Sequence, residues 1–143
     1  MKPEFWAALT ALCWALGSLL EKKGVKLGNL TPVMGAGVRT AVSLLILLAI
    51  SYPYWGELKK AGAKPLLMIA AGGGLLAGAL GIICLYSGLK SGHLSTVLTI
   101  AFCSTPVLGV VLGVAFLGER LALMQYMGIA LCVIGAAITI WLK

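Results

Sequence analysis

The sequence predicts an all-α membrane protein with five transmembrane helices, and three observations predict it. Five apolar stretches fill most of the 143 residues, which are 61% hydrophobic and only 10% charged. Mean hydropathy is +1.07, more apolar surface than a soluble core of this size can absorb. Trp6, Tyr52, Trp55 and Trp141 fall at the ends of the stretches, where an aromatic belt meets the headgroups. A spanning helix takes about 20 apolar residues, so five crossings leave room for no extramembrane domain. The runs do not alternate in polarity, as the strands of a membrane barrel do.

The first stretch begins near Phe5, is continuously apolar to Leu20 and extends to about Val25. It lacks a small-x-small cleavage site and runs into Glu21, Lys22 and Lys23, so it reads as a retained helix and not a signal peptide. The second runs from about Thr31 to Tyr52, with Pro32 suited to a first turn. Pro53 to Lys64 is the longest polar connection. The third stretch covers about Pro65 to Leu89 and contains Gly72, Gly73 and Gly74. Three successive glycines soften a helix and favour a kink or hinge there. The fourth starts near His93 and ends near Leu117; Gly118, Glu119 and Arg120 form a tight turn, and the fifth fills Leu121 to Leu142.

The basic residues give little orientation signal. Five crossings put Lys2, Lys59, Lys60, Lys64 and Arg120 on one side and Lys22, Lys23, Lys26, Lys90 and Lys143 on the other, five against five, with Arg39 inside the second stretch. Orientation normally follows an excess of Lys and Arg on the cytoplasmic side, so this chain is suited to inserting both ways. The net charge of +7 is explained by anionic lipid headgroups. No basic patch carries the aromatic and loop pattern of a nucleic-acid binder.

Several features argue against an enzyme. There is no nucleophile elbow, phosphate loop or paired catalytic carboxylate, and no cofactor motif. Cys13, Cys84, Cys103 and Cys132 all lie in apolar stretches without ligand spacing, and the chain has one histidine and no aspartate, so no metal site is expected. The cysteines read as small packing residues.

Candidate functional residues are the polar groups inside the stretches, because charge at membrane depth costs about 2.5–3.5 kcal/mol for Arg or Lys on insertion scales. Arg39 lies eight residues past Thr31, roughly 12 Å deep at helical rise. It either faces a cavity and holds an anionic group or snorkels back to the surface. Ala7, Thr10, Trp14, Gly17 and Glu21 step by three and four and share one helix face. Glu21 at its end either attracts cations or carries a proton, or is an interfacial acid beside Lys22 and Lys23. In the fourth stretch Ser95, Thr99 and Pro106 share a side, with Thr96 and Ser104 nearby. Pro106 cannot donate a backbone N–H, and carbonyls freed in this way line many membrane sites. The hydroxyls alternatively bond back to their own helix. Tyr86 is either a belt residue or a cavity-lining ring. His93 belongs at the interface, with a proton-relay role as the alternative.

Small residues recur at helical spacing: Gly74, Gly78 and Gly81; Gly109 and Gly113; Gly128, Cys132 and Gly135. Such faces serve close packing within one subunit or association with a second.

The run YSGLKSGHLST from Tyr86 to Thr96 resembles the junction of the third and fourth helices in EamA-type proteins of the drug/metabolite transporter superfamily. Thr105, Pro106 and Val107, then Leu117 to Leu121 with Gly118 and Glu119, then Gln125 and Gly128, are similar to that family's most recognisable stretch. Trp14, Gly17, Ser18 and Lys22 resemble its first helix, and Arg39 falls where its second helix often carries an arginine.

The resemblance implies one EamA-like domain over residues 1–143, half of a ten-helix inverted-repeat transporter. It implies transport of small metabolites, amino-acid-like compounds among them, by alternating access in a plasma membrane of prokaryotic type. Two copies would complete the cavity, as a homodimer that an even charge tally allows to be antiparallel. The implied substrate contacts are Trp14, Gly17, Ser18, Arg39, Tyr86, Ser95, Thr99 and Pro106, with Glu21 for coupling. Two alternatives stand: a proton-coupled exporter of cationic compounds like the small multidrug-resistance proteins, and a non-transporting partner subunit. Those exporters carry a glutamate three residues before a glycine in their first helix; the corresponding position here is Trp14, ahead of Gly17.

Overall fold

The computed structural model describes residues 3–141, apart from the side chain of Lys59. Lys2, Leu142 and Lys143, which enter the charge tally and the fifth stretch above, lie outside the described residues. All regular structure among the described residues is helical. Five segments are long and apolar enough to span a membrane: Pro3–Leu27, Pro32–Tyr54, Ala63–Ser91, Leu94–Leu117 and Leu123–Trp141.

The chain forms two compact units that divide between Ser91 and Gly92. In the first, α1 covers Pro3–Leu27, with Glu4 in its first turn and Lys26 in its last. These charges complement the helix dipole and let the helix run two residues past each expected limit. Gly28 and Asn29 turn the chain, Asn29 with φ of +46°. The Thr31 hydroxyl then accepts the Met34 N–H at 3.3 Å and caps α2, Pro32–Ser51, with Pro32 in its first turn. A 3-10 turn, Tyr52–Tyr54, and the six-residue α3, Gly56–Ala61, make up most of the polar connection. Trp55 donates its ring N–H to the Ser51 hydroxyl at 3.2 Å.

The third span changes register along its length. It opens as α4, Ala63–Ile69, widens to a π-helix over Ala70–Gly81, and closes as α5, Ile82–Ser91. The soft point expected at Gly72–Gly74 thus takes the form of a shifted hydrogen-bond register. Glycine permits it: a Cβ on Gly78 would stand 2.6 Å from the Gly73 carbonyl oxygen. Long π segments are rare, and π insertions are frequent at functional sites.

The first unit's core is small. Val25, Ala36 and Tyr86 are buried together, with Ile82 and Ile83 against them. Most large apolar side chains are exposed on the chain, as expected where lipid tails are the neighbours. Lys90 donates its ammonium to the Leu30 carbonyl at 2.8 Å. That bond ties the end of the third span to the connection between the first two, so both lie at the same end of the unit.

The second unit is a hairpin of α6, Leu94–Leu117, and α7, Leu123–Trp141. His93 is the N-cap, with extended backbone, and stands just outside α6. Gly118 closes α6 in the left-handed region, φ +66°, where glycine carries no Cβ penalty. The turn is longer than Gly118–Arg120: α7 begins at Leu123, because the Gln125 side chain accepts the Ala122 N–H at 2.7 Å and fixes the helix start there.

Candidate functional site

The first unit gathers most of the sequence-selected residues around one ion pair. Glu21 lies six residues before the end of α1 and Arg39 seven after the start of α2. At helical rise both sit roughly 10 Å inside the helix ends. Arg39 Nε stands 2.8 Å from Glu21 Oε1. The two side chains are only 27% and 18% exposed, so solvent screens the pair weakly. Arg39 therefore takes an internal partner, and Glu21 is one half of an ion pair within the helix bundle and not a surface acid.

Two aromatic residues frame the pair. The Arg39 guanidinium lies 5.7 Å from the Trp14 ring centroid, within cation–π range. Tyr86 lies beside the pair, in the wall of a recess that it shares with Glu21 and Arg39. Its ring is buried, 3% exposed, so it is an interior group and not a belt residue. Gly35 makes this possible: a Cβ there would stand 2.6 Å from two Tyr86 ring carbons and 2.9 Å from Val25.

The pair forms part of the wall of two open recesses. One, of about 220 Å³, is lined by Cys13, Trp14, Gly17, Ser18, Glu21, Arg39 and Leu85. The other, of about 370 Å³, shares Glu21 and Arg39 and adds Gly24, Val25, Gly35, Ser43 and Tyr86. The helical steps 14, 17, 18 and 21 explain the grouping, since they place these side chains on one side of α1. Ser18 is nearly buried, 3% exposed. No cluster of metal-ligating side chains occurs among the described residues.

In the second unit, Ser95 and Pro106 are exposed and Thr99 is half-buried, all on α6, while Thr96 is buried. Thr105 bonds back to the Ala101 carbonyl at 2.7 Å, and Thr10, Ser87 and Thr139 do likewise in their helices. Ser95 and Thr99 make no such bond among the described residues, which leaves their hydroxyls available.

Sequence reasoning missed Gly35, Leu85 and the role of Cys13. Gly35 sits one turn before Arg39 on α2, and that spacing was the available signal. The glycines that drew attention by periodicity behave differently: at Gly74, Gly109, Gly128 and Gly135 an added Cβ would meet nothing within 4 Å. Gly78 and Gly81 meet carbonyl oxygens of their own π segment, and Gly113 has the Glu119 carboxylate folded onto it, 2.6 Å from where a Cβ would stand.

The model of the EamA-like transporter family matches residues 1–141, and the chain belongs to that family. It is also 30% identical over 135 residues to a Sinorhizobium sp. protein described as an uncharacterized transporter in cobO 3'region, covering 93% of this chain and 92% of the relative. No solved structure matches.

Proposed function

We propose that this member of the EamA-like transporter family carries a small organic molecule across a plasma membrane by alternating access, as an antiparallel homodimer. The observation that carries the reading is the Glu21–Arg39 pair, set at membrane depth in the wall of two recesses. Ionisable groups in membrane helices are costly and mark substrate or ion pathways. Trp14 shapes the recess, Gly17 leaves room in it, and Ser18 and Tyr86 supply hydroxyls beside the pair. In the second unit Ser95, Thr99 and Pro106 are the proposed contacts.

The dimer is supported by the balanced lysine and arginine count and by the open face of α7, where an added Cβ on Gly128 or Gly135 would meet nothing within 4 Å. Close approach of a second helix over such glycines gains dispersion contact.

Flux into proteoliposomes tests the reading, with amino acids, nucleosides and cationic drugs, with and without a pH gradient. Uptake of a neutral or zwitterionic metabolite is the expected result. Flux confined to cationic drugs and lost in Glu21→Gln transfers the chain to the proton-coupled exporters. No flux, with a different membrane protein recovered on mild extraction, makes it a partner subunit.

A further inference from the structure

A carboxylate engages at most two of the five N–H donors of a guanidinium. Arg39 therefore keeps donors beyond its contact with Glu21, and it makes no other hydrogen bond among the described residues. Glu21 has acceptor sites to spare as well, since an ionised carboxylate offers about four and is met by Arg39. Both members thus reach the recess with unused capacity of opposite sign.

Charge balance decides what can enter. The empty pair sums to zero. A ligand bearing only a carboxylate that draws Arg39 away leaves Glu21 without a counter-charge at membrane depth, and a ligand bearing only an ammonium does the same to Arg39. Uncompensated charge in that position is strongly disfavoured. A molecule that carries both poles replaces one ion pair by two, its carboxylate on Arg39 and its cationic nitrogen on Glu21, and the sum stays zero. The two recesses that the pair lines are of about 220 and 370 Å³, at or below the low end of the range for drug-sized ligands, which favours a small body.

We propose that Glu21 and Arg39 together form a charge-neutrality filter, each reading one pole of a small zwitterion and jointly rejecting ligands with a single charge. Tyr86 shares the wall of the larger recess with both and bounds the space in which the pair parts. The proposal deepens the transport reading and rests on it for the meaning of the ligand.

Two isosteric trios test it by calorimetric binding to the whole chain in detergent. Trimethylglycine is compared with choline and 3,3-dimethylbutyrate; leucine is compared with 3-methylbutylamine and 4-methylpentanoate. At least one zwitterion should bind tenfold or more tightly than both of its single-charge isosteres. Glu21→Gln should raise affinity for the anion tenfold or more and lower that for the zwitterion. Arg39→Gln should do the converse for the cation. Equal loss of all ligands in both well-folded variants, or unchanged order of preference, overturns the proposal. If either single variant fails to fold, Glu21→Gln/Arg39→Gln serves: it should lose the preference for the zwitterion over its isosteres, and retention of that preference overturns the filter. Zwitterion binding without flux would sink transport and leave the filter standing; flux without charge selection would do the reverse.

Discussion

Gly35 and Tyr86 approach so closely that no side chain fits between them: a Cβ on residue 35 would stand 2.6 Å from the tyrosine ring. The contact joins α2 to α5 and sets the ring in the recess wall that Glu21 and Arg39 also line. Gly35→Ala should therefore displace the ring and disturb the packing of α2 on α5. Overpacking of this kind costs about 1–3 kcal/mol, offset in part by alanine's better helix propensity, up to about 1 kcal/mol. Thermal unfolding in detergent should show the loss. In a Tyr86→Ala background the same substitution should cost much less, because the ring it strikes is gone; equal costs in both backgrounds would disprove the coupling.

Removing one member of the Glu21–Arg39 pair should harm the fold more than removing both. Arg39→Ala leaves Glu21, only 18% exposed, without its counter-charge, at roughly 1–3 kcal/mol. The double variant Glu21→Ala/Arg39→Ala strands neither charge and should recover most of that loss. A double-mutant cycle on unfolding temperature measures it. Additive losses would mean that the pair contributes no coupling.

Hydropathy and belt aromatics made the five spans legible, because bilayer thickness dictates length and lipid dictates polarity. Gly118 ends α6 at the expected Leu117, whereas local chemistry moved the next limit: Gln125 delayed α7. The face Trp14, Gly17, Glu21 was legible from spacing within one helix. Its partner was less so. Arg39 stood out as a charge at depth, yet nothing in the sequence chose between an internal partner and the surface, since that depends on how α1 and α2 meet. Gly35 was hidden because it has no periodic glycine companion on its face and matters through Val25 and Tyr86, the latter 51 positions away in the chain. The conspicuous glycines Gly128 and Gly135 face open space.

The π segment Ala70–Gly81 should depend on Gly78. A methyl group there meets the Gly73 carbonyl oxygen at 2.6 Å, and that oxygen must swing back toward α-helical register to make room. Gly78→Ala is expected to slow backbone amide exchange across residues 70–81, since regular α-helical bonds open less readily than this widened register. If the segment has to flex during transport, flux should fall several-fold while unfolding temperature holds or rises. Unchanged exchange would show that the π register tolerates a side chain there.

Orientation is the most direct test of the antiparallel arrangement. The proposed arrangement rests on the five-to-five count of Lys and Arg between the two sides; if it holds, reporters fused to the carboxyl terminus should show activity on both sides of the membrane. A near-balance is also easy to tip. Leu27→Lys adds a charge at the end of α1, beside Lys26, and should drive that side toward the cytoplasm; Leu58→Lys, in the connection after the second span, should drive the opposite one. If inverted copies must pair, each variant alone should lose flux and their co-expression should restore it, because the mixture again supplies both orientations. A single orientation in the unaltered chain, or full flux from either fixed variant alone, would rule out the antiparallel homodimer.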